Sequence, residues 1–236
     1  MKIEILFPEL ANLYGDLANV DYLAKSAPGT EVIRTGIKSR PYFADETPGL
    51  IFMCSMTERA QEIIAGALLP YRERVRQLID DGAAFLITGN ALEIFGQYIE
   101  KDGGDKIETL GIFPTYAERR MAARYNSLYW GKFGDDDIFG FKDQFSHSYG
   151  DAGEGLFSTV RGAGLHPGME MEGIRHNRFI ATYLLGPVLI LNPPFAKWFL
   201  RMLGIEEPKI AFEDAAAASY EQRKKEFTNP NTGYEY

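Results

Sequence analysis

The chain has 236 residues, 45% hydrophobic and 25% charged, as in an ordinary globular protein of one domain. Its formal net charge of −8 disfavours non-specific binding to nucleic acid or to an anionic membrane surface. One cysteine, Cys54, excludes an intrachain disulfide and a cysteine metal cluster. Because no signal-peptide pattern and no long apolar run occur, we expect a cytoplasmic protein that does not span a membrane.

Strand and helix patterns alternate along the first hundred residues. Apolar strand segments are predicted at 2–7, 30–36, 49–55 and 83–89. Apolar residues at helical spacing predict helices at 15–27, 58–69, 70–82 and 91–99. This alternation indicates an α/β domain in which helices flank a mostly parallel central sheet.

The second half of the chain is predicted to be rich in β-strands. Gly and Asp turns separate strand segments at 123–130, 137–143, 156–162 and 176–186, and helices are predicted at 194–204 and 213–227. Residues 228–236 are polar and turn-rich, which predicts a flexible tail. We therefore expect one domain over residues 1–227.

The ligand crevice of a parallel sheet lies at the carboxyl ends of its strands. Three predicted strands end at residues 8–14, 54–59 and 88–91. The third end lies in FLITGNALEIFG (85–96), a strand, a sharp turn and a helix start. Many α/β enzymes hold a nucleophile at such an elbow, yet this turn contains neither cysteine nor serine.

These segments resemble class I glutamine amidotransferases of the cobyric acid synthase-like branch, which includes the glutaminase subunit of lipid II isoglutaminyl synthase. Residues 6–27 are similar to the opening motif of that branch, and residues 50–62 fall on its strand, glycine-rich loop and helix. Residues 172–200 fall on a late block that keeps Thr182, Tyr183, Leu184, Gly186 and Pro187. The resemblance spans nearly the whole chain and implies a flavodoxin-like class I amidotransferase fold.

The resemblance also implies a chemistry, the hydrolysis of the glutamine side-chain amide. A cysteine thiolate attacks, a histidine transfers protons, backbone N–H groups hold the oxyanion, and ammonia passes to a synthetase. The aligned nucleophile position is Gly89 and the aligned base position is Leu185. Loss of one of two cooperating catalytic groups can cost about 10⁶-fold in rate. We therefore expect no intact catalytic residues, and neither a cofactor nor a metal.

Cys54 is the one candidate for a substitute nucleophile. We interpret it first as a small buried hydrophobe, because no histidine aligns with the base position. A helix N-terminus behind it could instead make the thiol reactive. The histidines His147, His166 and His176 are expected on the surface or in hairpins.

Three residues are candidates for ligand binding: Arg59, Ser55 and Tyr14. Arg59 falls on the loop arginine of the family and either pairs with a ligand carboxylate or holds the helix start. Ser55 and Met56 stand where the family has loop glycines, which argues against binding glutamine in the family's manner.

Two acidic residues receive structural interpretations. Asp16 is predicted to cap the helix that begins near Leu17. Glu93, which matches the glutamine of the family's elbow, is predicted to be solvated or to cap a helix.

Three functions remain open at this point. The first is a degenerate, non-catalytic subunit that binds or scaffolds a Mur-ligase-like or other ATP-dependent synthetase, or associates with itself. The second is a sensor that binds a small zwitterion such as glutamine without turnover. The third is an amide hydrolase with a rebuilt site that uses Cys54. We expect them in that order.

Overall fold

A computed structural model of the chain describes residues 1–235 and places fourteen strands in three sheets. The strands are β1 (Lys2–Leu6), β2 (Glu31–Thr35), β3 (Leu50–Met53), β4 (Phe85–Thr88), β5 (Tyr98–Glu100), β6 (Lys106–Glu108), β7 (Thr115–Arg119), β8 (Tyr125–Phe133), β9 (Asp136–Gln144), β10 (Ser146–Gly150), β11 (Phe157–Arg161), β12 (Met171–Glu172), β13 (Ile174–His176) and β14 (Phe179–Thr182). The six helices are α1 (Ala18–Ser26), α2 (Glu58–Leu68), α3 (Arg72–Asp80), α4 (Val188–Leu191), α5 (Pro193–Met202) and α6 (Glu213–Phe227).

The central sheet has six strands in the order β13-β14-β4-β3-β1-β2. All neighbours pair in parallel except β13, which is antiparallel to β14. Every residue of β3 and β4 is buried, as expected of strands covered on both faces. The predicted α/β class with a mostly parallel sheet is confirmed.

Two hydrophobic clusters cover the two faces of the central sheet. One joins the sheet to α2 and α3 and includes Ile64 and Leu78. The other joins it to α1, α4 and α5 and includes Leu23 and Phe199. Successive strand residues point to opposite faces, so Phe85 and Leu86 belong to different clusters.

The second half forms two four-stranded sheets, in the orders β10-β7-β5-β6 and β12-β11-β8-β9. The first packs against α2 and against a 3₁₀ helix, Gly89–Phe95, that follows β4. The second packs against α4, α5 and α6 through β8 and β9. The β-rich second half is as predicted, and both of its sheets contact the 3₁₀ helix at the carboxyl end of β4.

The helix predicted at 91–99 is wrong in its second half. The chain leaves the 3₁₀ helix at Phe95 and becomes strand β5 from Tyr98. Gly96 lies at the junction, where a Cβ would lie 2.8 Å from the carbonyl oxygen of Thr115, so that only glycine fits without a shift. The Gln97 N–H donates to that same oxygen at 2.7 Å, which begins the new sheet.

The residues predicted as a flexible tail are held on the domain as far as Glu235. Arg161 donates to the carbonyl oxygens of Asn229 (3.1 Å) and Thr232 (2.6 Å). The Leu128 N–H donates to the Tyr234 carbonyl at 2.8 Å, and Tyr234 is only 8% exposed. The sequence pattern missed these anchors because Arg161 lies far away along the chain. Tyr236 lies outside the described residues.

Candidate functional site

The elbow after β4 turns at Gly89, whose φ of +63° lies in the left-handed region. A Cβ built on Gly89 would come closer than 3.0 Å to the Cβ of Ser55 and 3.1 Å from Cδ2 of Leu185. Side-chain Cβ atoms do not approach that closely, so this position excludes any residue larger than glycine unless a neighbour moves. Gly89 and Leu185, the positions that the resemblance assigns to nucleophile and base, therefore lie side by side, with Ser55 packed against the elbow.

Asp16 links three segments at the carboxyl end of the sheet. It is fully buried and accepts hydrogen bonds from the Thr88 hydroxyl (2.7 Å) and from the Gly186 N–H (3.2 Å). Its burial raises the pKa of the carboxyl group to about 6. The predicted helix cap is wrong, because Leu17 is the N-cap of α1 and no side chain caps that helix. Asp16 instead ties the opening segment to the elbow and to the late block.

The loop between β3 and α2 is fixed by Asn90 on the elbow helix. The Asn90 side chain accepts from the Met56 N–H (3.0 Å) and donates to the Met56 carbonyl (2.8 Å). The Leu13 N–H donates to the Ser55 carbonyl at 3.1 Å, and Thr57 caps α2 by accepting from the Ala60 N–H at 3.2 Å. The three strand ends that sequence predicts to meet do so, in one closely bonded corner.

A small cavity of about 180 Å³ remains at this corner. Tyr14 and Ser55 line it together with Glu58 and Asp143, and none of its lining residues is a histidine. The Tyr14 hydroxyl donates to Asp143 at 2.8 Å, and Asp143 is also paired with Arg124. Two of the three candidate ligand residues thus share one cavity.

Arg59, the third candidate, does not line this cavity. It lies exposed in the first turn of α2, next to Glu58. A helix places successive residues about 100° apart around its axis, so a residue beside a cavity-lining one need not face the cavity. Sequence position alone could not make that distinction.

Cys54 lies in the hydrophobic cluster that joins the sheet to α1 and α5. It is fully buried, and its Sγ–H donates to the Ala11 carbonyl at 3.1 Å. Burial and the charge of Asp16 raise the pKa of this thiol above its ordinary value. A nucleophilic thiolate is therefore disfavoured, and the contacts favour the interpretation as a small buried hydrophobe.

None of the three histidines lines the elbow cavity, although His147 Nδ1 lies 3.3 Å from Nε2 of Gln144, which does line it. His147 is half-buried on β10, where burial and the charge of Lys142 lower its pKa to about 4. His166 stacks on the Tyr149 ring, with centroids 4.6 Å apart. His176 is exposed on β13 and contacts Phe113. His166 lies in a loop and His176 on an exposed strand, as expected, but His147 is half-buried within β10.

Glu93 is buried, which corrects the prediction that it is solvated or a cap. It accepts hydrogen bonds from Ser146, from the Gln61 amide (2.9 Å) and from the Tyr183 hydroxyl (3.0 Å). Burial raises the pKa of its carboxyl group. The apolar residues on either side, Ala91, Leu92, Ile94 and Phe95, were the sequence signal for a buried segment.

A buried ion pair supports the late block and was not predicted. Lys142 and Glu172 are 1% and 0% exposed, and Nζ lies 3.5 Å from the carboxylate. Glu172 also accepts from the Thr182 hydroxyl (2.6 Å) and the Tyr183 N–H (2.8 Å). The carboxyl end of β14 is therefore fixed by polar contacts as well as by the sheet.

Comparison with known proteins agrees with this geometry. No protein-family model matches the chain. The glutamine-hydrolyzing lipid II isoglutaminyl synthase subunit GatD of Staphylococcus aureus (strain N315) is 27% identical over 210 residues, covering 86% of this chain and 83% of the relative. A solved glutamine amidotransferase superposes with a TM-score of 0.54 at 17% identity, covering 86% of this chain and 99% of the other. The chain therefore has the fold of solved glutamine amidotransferases and is similar in sequence to GatD.

A second solved glutamine amidotransferase, from Thermotoga maritima, has the same fold as this chain. Its TM-score is 0.54 at 9% identity, and the match covers 96% of this chain and 91% of the other. Within residues 1–235, no helix of the domain is long and apolar enough to cross a bilayer.

Proposed function

We propose that this chain is a non-catalytic glutamine amidotransferase-like subunit that binds and scaffolds an ATP-dependent synthetase of the Mur-ligase-like kind. Its similarity to a synthase subunit supports the partner. The close packing around Gly89 is the observation from which we infer that the chain is not catalytic.

The elbow supports this proposal because its space is already filled. Ser55 packs against Gly89 so closely that a cysteine side chain cannot be added without moving the loop. Leu185, at the base position, has no group that could take a proton. The one thiol, Cys54, is buried with a raised pKa, and its Sγ–H donates to the Ala11 carbonyl.

Ammonia release from glutamine tests the catalytic part. We expect the purified chain to release no ammonia above the buffer level, both alone and mixed with the synthetase. Cys54→Ala serves as the matched control and should behave in the same way. Glutamine-dependent release that disappears in Cys54→Ala would instead establish a rebuilt hydrolase. Release that appears only with the synthetase would mean that the partner supplies the missing groups.

The mass of the complex in solution tests whether the chain binds a synthetase. We expect the chain and the synthetase to elute together in size-exclusion chromatography, with a light-scattering mass equal to one copy of each. A stable dimer of the chain alone, with no complex, would favour self-association and contradict the scaffolding proposal.

The cavity beside the elbow favours a second candidate, a sensor of a small zwitterion. Tyr14 and Ser55 line it, and Glu58 supplies a carboxylate for an ammonium group. Glutamine at a hundredfold excess over Kd would stabilise the chain by about 2.7 kcal/mol. Thermal unfolding with and without glutamine tests this, and the stabilisation should shrink in Glu58→Gln.

A further inference from the structure

The wall of the elbow cavity includes one exposed aromatic ring. Tyr14 lines the cavity and is 39% exposed, so its side chain stands between the cavity and solvent. The cavity holds about 180 Å³, whereas pockets for small molecules usually hold about 300–1,000 Å³. The site is therefore too small for an ordinary ligand while this ring is in place, and moving the ring out of the wall enlarges it.

Tyr14 has an unusual backbone conformation for an aromatic residue. Its φ of +58° lies in the left-handed region, which favours glycine. Gly15 follows with a φ of +72°, and no atom lies within 4 Å of a Cβ built there. Residues held in such strained conformations cluster at ligand clamps and switch regions. Because glycine would suit position 14 better, the tyrosine points to a task for its side chain.

The backbone on either side of Tyr14 is fixed. The Leu13 N–H donates to the Ser55 carbonyl at 3.1 Å. Asp16 is fully buried and accepts from the Thr88 hydroxyl at 2.7 Å. A movement of the whole segment would break both contacts, so the part that can move is the Tyr14 side chain.

Two contacts hold the Tyr14 ring in the wall. Its hydroxyl donates to Asp143 at 2.8 Å, and its ring meets Phe141 edge to face, with centroids 5.9 Å apart. Asp143 is also paired with Arg124, so the carboxylate keeps a partner when the ring leaves. The Tyr14 hydroxyl then bonds to water instead, which keeps the net cost of opening small.

We propose that Tyr14 is the gate of the elbow cavity. The ring closes the cavity in this structure, and rotation of the side chain away from Asp143 opens it to a small solute. A zwitterion of the kind that the second candidate function requires enters only in the open state. The gate itself does not depend on the scaffolding function.

Alkylation of a thiol inside the cavity tests the gate. Ser55→Cys in the Cys54→Ala background gives the full chain one thiol, at a position that lines the cavity and is 3% exposed. We expect iodoacetamide to modify this thiol slowly. Tyr14→Phe should raise the rate about tenfold, the usual effect of losing one hydrogen bond to a charged group. Tyr14→Gly, which removes the ring and suits the left-handed backbone, should raise the rate further.

Two controls accompany this measurement. Met121→Cys in the Cys54→Ala background is the reference for an open thiol, because Met121 is 47% exposed, and its rate should not respond to changes at Tyr14. Tyr42→Phe is the matched control for the lost hydroxyl. Tyr42 accepts a hydrogen bond from Lys2 at 3.0 Å and does not line the elbow cavity, so this variant should leave the rate at position 55 unchanged.

Three results would overturn the proposal. One is a thiol at position 55 that reacts as fast as the Met121→Cys thiol with Tyr14 in place, and another is a rate unchanged in Tyr14→Gly. The third is a rate that rises with urea in every variant, because the thiol would then react only through unfolding of the whole chain. If Ser55→Cys does not fold, Gln144→Cys replaces it, since Gln144 lines the same cavity and is 5% exposed.

Discussion

Replacement of Gly89 by alanine measures how tightly the elbow is packed. The left-handed backbone at φ +63° costs an L-residue about 1–2 kcal/mol. The new Cβ would also overlap the Cβ of Ser55, and overpacking of this kind costs about 1–3 kcal/mol. We therefore expect Gly89→Ala to lower the free energy of unfolding by about 2–5 kcal/mol, a large share of the stability of an ordinary domain.

Urea unfolding, followed by the fluorescence of Trp130 and Trp198, gives this free energy by linear extrapolation. Gly66→Ala is the matched control, because Gly66 lies in helix α2 with no atom within 4 Å of an added Cβ. There the same substitution should stabilise the chain by about 0.5–1 kcal/mol. The change in the free energy of unfolding should have opposite signs at the two glycines, which separates the effect of close packing from that of adding a methyl group.

A double-mutant cycle with Ser55→Gly isolates the overlap from the backbone strain. Removing the Ser55 side chain takes away the atom that the new Cβ would meet. We expect the double variant to recover about 1–3 kcal/mol relative to the sum of the single changes. Additive effects, or a cost of Gly89→Ala below about 1 kcal/mol, would refute the conclusion that Ser55 fills the elbow.

Three further substitutions test the buried polar groups. The folded-state pKa of Asp16 is about 6, above its ordinary value of 3.8. Ionisation of Asp16 therefore lowers the free energy of unfolding by about 3 kcal/mol above pH 6, and this loss fades as the pH falls to 4. Asp16→Asn should therefore gain stability relative to wild type as the pH rises from 4 to 7, and a pH-independent difference in urea unfolding would contradict this. Lys142→Met leaves Glu172 buried without its partner and should cost about 3–5 kcal/mol in the same assay, partly restored by adding Glu172→Gln. Burial alone would raise the pKa of Asp137, but hydrogen bonds from Lys132, Lys224 and Trp130 lower it to about 2. The ionised Asp137 therefore stabilises the folded chain above pH 3.8, and this stabilisation is lost as the pH falls through 2. Asp137→Asn should cost about 1–3 kcal/mol at pH 7 and much less near pH 2, as measured by thermal unfolding.

The central sheet could be predicted because its signal is local. Continuous apolar runs such as LIFM and FLIT, between amphipathic helices, specify buried parallel strands without any knowledge of distant residues. The same reasoning placed the three strand ends at one edge. It could not show that the chain leaves the helix after Phe95 and bonds Thr115 through Gln97, because Thr115 is distant in sequence.

The roles of the acidic residues were predicted less well, and for a physical reason. Asp16 precedes a helix and Glu93 lies within one, so local rules assign them to caps and to solvent. Their actual partners are distant in sequence: Gly186 for Asp16, and Ser146 and Tyr183 for Glu93. A buried carboxylate is recognisable from sequence only where apolar neighbours on both sides predict burial, as around Glu93.

The turn at Gly89 is closely packed although a cavity of about 180 Å³ remains beside it, and this packing bears on why the turn persists. Ser55 and Leu185 contact the space that a side chain at Gly89 would need. Asp16 and Asn90 meanwhile hydrogen-bond the surrounding segments to one another. Because Asp16 bonds both Thr88 and Gly186, the elbow determines where the opening segment and the late block lie. The turn therefore helps to fix the relative positions of these segments, which is a structural reason for its presence that does not depend on catalysis.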